Sequence, residues 1–106
     1  MTFTHPHQRN DWIVLAMATK IAERLRHEAT LVKKAQAWIV GLQLKGRDYA
    51  AHREWEEILN TRSAAEIANL LVMENEEGQR LRSSHPFKGI ITEAERLAII
   101  ENAYTS

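Results

Sequence analysis

Apolar residues recur at helical spacing through almost the whole chain, and one stretch, Met73 to Thr92, breaks the pattern. On either side of it the repeats describe helices built to bury one face. The strict apolar–polar alternation of a half-buried strand is found nowhere. The chain is therefore expected to be all-α, a single-domain bundle of five to six short helices. Its 106 residues suit one domain and can bury a core without cross-links.

Residues 1 to 9 are expected to form a flexible N-terminal arm, with His5-Pro6-His7 interrupting any helix, and residues 10 to 106 the helical domain. Asn10 or Asp11 can cap the first helix. Val14, Ala18, Ile21 and Leu25 then trace one face, widened by Trp12, Leu15 and Met17. A second helix follows Thr30, with Leu31, Ala35, Trp38 and Leu42 inward. Lys45 and Gly46 mark its end. A third runs from about Asp48 to Asn60 on Ala51, Trp55, Ile58 and Leu59. Ser63-Ala64-Ala65-Glu66 is a capping box that opens a fourth, and Thr92-Glu93-Ala94-Glu95 is another that opens the last. The last helix is expected to bury Leu97, Ile100 and Tyr104. Trp12, Trp38 and Trp55 fall on three successive helices and are expected to share the core.

Chemistry narrows the function by subtraction. With no cysteine, neither disulfides nor thiolate metal sites can form. No window approaches the ~18 apolar residues that span a bilayer, and the opening MTFTHPHQRND lacks the apolar stretch of a secretion signal. A cytoplasmic protein is expected. The 14 basic residues balance 14 acidic ones, which weighs against a dedicated nucleic-acid binder. No glycine-rich phosphate loop, nucleophile elbow or acid–base constellation is present, so no catalysis and no cofactor is expected. His52-Arg53-Glu54-Trp55-Glu56 mimics a zinc-protease helix but supplies one histidine where two are needed. His5 and His7 alone make no metal site either.

The interrupting stretch holds the remaining signals. Glu66-Ile67-Ala68 with Leu70, Leu71 and Val72 imitates the first half of a helix-turn-helix. The helix that should then enter the groove would lead with Glu74, Glu76 and Glu77, which phosphates repel. A short polar helix over 75 to 83 follows, acidic at its start and carrying Arg80 and Arg82 near its end, in keeping with the helix dipole. Gly78 in its middle suits close approach of another backbone. Ser83-Ser84-His85-Pro86 stops the helix, and Phe87 anchors the connector.

The run Arg80-Leu81-Arg82-Ser83-Ser84-His85-Pro86-Phe87 precedes a capped helix with Glu95-Arg96, and an Arg53-Glu54-Trp55 helix ending Ile58-Leu59 lies upstream. This arrangement resembles short helical bacterial proteins encoded beside nucleotidyltransferase-fold toxins in toxin–antitoxin pairs. The resemblance covers about residues 20 to 104 and implies a non-enzymatic protein that binds and silences a toxin. On that reading Glu74, Glu76 and Glu77 face a basic cleft of the partner and Arg80 and Arg82 pair with its carboxylates. Ser83, Ser84 and Phe87 complete the contact, with Phe87 as its aromatic centre. Without a partner, the same arginines would bridge to Glu76 and Glu77, the serines would cap the helix end, and Phe87 would fill the core. Two other functions stay open. A helical DNA-binding regulator would use Lys20, Arg24, Arg26, Lys33 and Lys34 on phosphates. A homo-oligomeric scaffold is the third.

Overall fold

The computed structural model describes residues 3 to 105. Among these, six helices and no strand are found: α1 (Pro6–His27), α2 (Leu31–Leu44), α3 (Ala50–Thr61), α4 (Ala64–Leu71), α5 (Glu76–Ser83) and α6 (Glu93–Thr105). The all-α single-domain bundle expected from the sequence is what forms. None of these helices is long and apolar enough to cross a membrane.

The long α1 is the axle. It packs most extensively on α4, then on α6 and α5, and touches α2; α2 pairs with α3, and α4 with α5. Ala18, Ile21 and Leu25 of α1 are buried as their spacing requires, joined by Ala22, whereas Val14 of the expected face is 40% exposed. They meet Ile67, Ala68 and Leu71 of α4, Leu31, Ala35 and Ile39 of α2, and Trp55 and Leu59 of α3 in one continuous core.

Local signals set the ends of the elements. Ser63 and Glu66 form the reciprocal capping box, with the Glu66 N–H donating to Ser63 Oγ at 3.1 Å and the Ser63 N–H to Glu66 Oε1 at 3.0 Å. Thr92 and Glu95 repeat it at 3.2 and 2.9 Å. Beyond α2, Gly46 has φ +77°. The Arg47 N–H reaches Leu42 O at 2.8 Å and the Gly46 N–H reaches Gln43 O at 3.0 Å, a Schellman end.

Three expectations are corrected. The first helix begins at Pro6, not at Asn10 or Asp11, so residues 6 to 9 of the expected flexible arm are helical. Proline fits the first helical position, where its missing N–H would have no partner anyway. Residues 1 and 2 of that arm lie outside the described residues. Two of the three tryptophans share the core, Trp55 within it and Trp38 packed half-buried against it, and Trp12 does not. Trp55 is fully buried, whereas Trp38 is half-buried beside His52, and Trp12 is half-buried beside Phe3. In α6 the buried residues are Ile99 and Ala103, while Leu97 and Tyr104 are exposed. Leu97 to Ile100 is apolar all round, so periodicity alone does not fix the rotation. A long-range contact does. Arg24 of α1 donates to the Glu95 carboxylate and, at 2.7 Å, to Ile90 O. Glu95, Ile99 and Ala103 follow at four-residue steps, so this bond turns that face toward α1.

Candidate functional site

The stretch over residues 73 to 92 folds as a turn, the short α5, and a loop pinned to the core. Asn75 caps α5 by accepting from the Gly78 N–H at 2.8 Å. Gly78 is buried against the turn before it: a Cβ there would lie 1.9 Å from Met73 O. Arg82, only 5% exposed and one turn further along the same face of α5, donates from Nη1 to Leu71 O at 3.2 Å and to Met73 O at 2.6 Å. An arginine placed there satisfies the carbonyls left open at the end of α4. The turn between α4 and α5 is thus held by a glycine contact and a guanidinium that both meet the Met73 carbonyl.

This turn and the start of α5 face the first turns of α1 across a cleft of about 390 Å³, lined by Asp11, Trp12, Leu15, Glu74, Glu76, Gln79 and others. Gln79 Nε2 crosses it to Asp11 Oδ2 at 3.3 Å. Glu74 and Glu76 are exposed, and neither makes an ion pair among the described residues. The cleft therefore presents three carboxylates around an apolar wall of Trp12 and Leu15, with Arg82 at its base. Such a mouth suits a cation: carboxylates take its charge and the indole accepts its stem.

The other expected interface residues are placed differently. Arg80 is exposed but binds Glu54 of α3 through two bonds, at 2.6 and 2.8 Å, and also binds Glu77. The fork holds Glu54 below the usual carboxylate range, and the two carboxylates raise Arg80. Ser83 Oγ donates to Arg80 O at 2.7 Å, and the Ser84 N–H closes the end of α5 on Leu81 O. Phe87 is buried, edge-on to Trp55 with ring centres 6.0 Å apart. Arg82 and Phe87 are therefore corrected from surface contacts to interior ones, and Arg80 and Glu77 arrive already paired. Glu74 and Glu76 remain available.

Of the five basic residues drawn for phosphate contact, two are engaged within the fold. Arg24 is taken by Glu95 and Ile90, and Arg26 donates to Asn69 Oδ1 at 3.1 Å. Its hydrogen bond to Arg24 is the chief cause that lowers Glu95 to about 2. Asp11, Trp12, Leu15 and Gln79 were not expected at a site. Nothing local in the sequence marks them, because α1 and α5 meet across 68 positions of chain.

His85 in the same loop is largely buried. Burial, reinforced by Lys88, lowers it from 6.5 to about 4. Its Nδ1 accepts the Phe87 N–H at 3.1 Å, which fixes a neutral tautomer. The folded state thus resists a proton that the unfolded chain takes up. The stability this contributes is complete above pH 6.5 and is lost as pH falls toward about 4. The expected loss is on the order of 3 kcal/mol. Urea titrations at stepped pH check it: His85→Asn should flatten the slope in that window, and an unchanged slope contradicts the assignment.

Compared with family models, curated proteins and solved structures, the chain matches none.

Proposed function

We propose that this chain is a non-enzymatic protein-binding module that silences a partner enzyme of nucleotidyltransferase type, as an antitoxin does. The observation that carries the reading is the pair Glu74 and Glu76, exposed and without ion-pair partners among the described residues, on the rim of a cleft that also holds Asp11 and Trp12. An enzyme that binds nucleotides or RNA carries cationic side chains where phosphates sit. Those cations would enter the acidic mouth and be withdrawn from substrate. The resemblance carried by residues 80 to 87 and the Arg53-Glu54-Trp55 helix supports the same partner class.

The test is retention of the partner from lysate on tagged protein, identified by mass spectrometry. A stoichiometric enzyme of the nucleotidyltransferase type is expected. Glu74→Lys combined with Glu76→Lys should weaken its retention by about tenfold or more, a loss of at least ~1.4 kcal/mol. The variant's melting temperature should stay within a few degrees of the parent, because both side chains are exposed. Undiminished retention by the double variant, or the absence of any such enzyme, overturns the proposal.

A further inference from the structure

Two helices turn a second apolar stripe away from the core. On α2, Lys33, Ala37, Val40 and Leu44 follow at steps of four, three and four, and all are exposed; Leu44 is 84% exposed. On α6, Ala94, Leu97, Glu101 and Tyr104 follow at steps of three, four and three, with Leu97 52% and Tyr104 62% exposed. Each stripe is continuous at helical period, which a solvated face does not need.

Their charges are opposite. α2 contains no acidic residue, and Lys33, Lys34 and Lys45 make no ion pair among the described residues. The outward stripe of α6 is punctuated by Glu101, likewise without an ion-pair partner among them. We propose that the chain associates with itself, the outer face of α2 in one copy docking on the outer face of α6 in another.

Pairing α2 with α2 in parallel would set lysines against lysines, and pairing α6 with α6 in parallel would set Glu101 against its like. The mixed pairing joins apolar stripe to apolar stripe while matching lysine with glutamate. Gly41 fits the same contact. It lies inside α2, beside the stripe, and a Cβ built there meets nothing within 4 Å in its own chain. The fold gives no reason for a helix-interior glycine, which lowers helix propensity. A helix crossing closely at that point does, and Ala94 and Ala98 on α6 are small enough to allow it. A net charge of zero leaves no overall repulsion between copies.

Sedimentation equilibrium and light scattering on the purified chain test this. The mass should rise above 12.2 kDa as concentration is raised from about 10 μM to about 1 mM. Lys33→Glu with Lys34→Glu in one protein, and Glu101→Lys in another, should each stay monomeric. Acidic residues in the first turn of α2 suit its dipole, so the first variant is expected to keep its helical circular dichroism. An equimolar mixture should associate again, because each variant retains the face the other lacks. A monomeric parent at every concentration, association that survives in either variant alone, or a mixture that stays monomeric overturns the proposal. Both variants are altered outside the acidic cleft, so this result and that of the partner test are independent.

Discussion

Replacing Trp55 with alanine is expected to lower folding stability by about 3–5 kcal/mol, the usual cost of emptying a buried aromatic site. Trp55 is fully buried on α3. Its ring meets Phe87 edge-on at 89°, and its Nε1–H donates to Leu81 O at 3.0 Å. One side chain thus joins α3, the end of α5 and the loop after it. Small domains hold only about 5–15 kcal/mol in all, so the variant should be near the limit of folding at ordinary temperature. Trp55→Phe separates the two contributions. It keeps most of the apolar volume but strips Leu81 O of a donor, and should cost roughly half as much. Urea unfolding of both proteins checks this. A loss under about 1 kcal/mol in the alanine variant would show that the core does not depend on this junction.

Gly78→Ala is the second large effect, and it runs against local propensity. Within a helix alanine is better than glycine by roughly 1 kcal/mol. Here the added methyl would sit 1.9 Å from Met73 O and 2.8 Å from Met73 Cβ. The first of these is backbone in a turn that Arg82 also grips, so it cannot swing aside as a flexible side chain would. The turn must shift, and the net change is expected to be a loss of about 2–3 kcal/mol. For a chain of this size that corresponds to a melting temperature lower by roughly 10–20 °C. Differential scanning calorimetry reads it directly. A melting temperature at or above the parent's would mean that Gly78 is tolerated, not required.

The fold was legible wherever a few adjacent residues carry a complete physical instruction. Ser63 with Glu66, Thr92 with Glu95, and Gly46 after α2 state where helices begin or end, and the structure follows them. The stripe of Ala18, Ile21 and Leu25 likewise fixed the buried side of α1. What stayed hidden depends on residues far apart in the chain. Arg24 stood among the cations that could meet phosphate until α6 brought Glu95 to it, and without that bond the inward face of α6 cannot be chosen among four consecutive apolar residues. Arg80 with Glu54 and Gln79 with Asp11 belong to the same class. The candidate site was half legible for that reason. The acids at 74 and 76 stand out as a run in the sequence, whereas the wall opposite them is supplied by α1.

The double hold on the turn between α4 and α5 bears on the kinetics of any encounter at the cleft. Gly78 and Arg82 both meet the Met73 carbonyl, so Glu74 and Glu76 project from backbone that is already set. A ligand arriving there need not first organise a loose segment. It avoids the backbone ordering cost of roughly 1–2 kcal/mol for each residue that binding would otherwise fix. Docking at this mouth should therefore proceed as a rigid-body collision accelerated by the rim's negative field, with an on-rate that falls as salt is added.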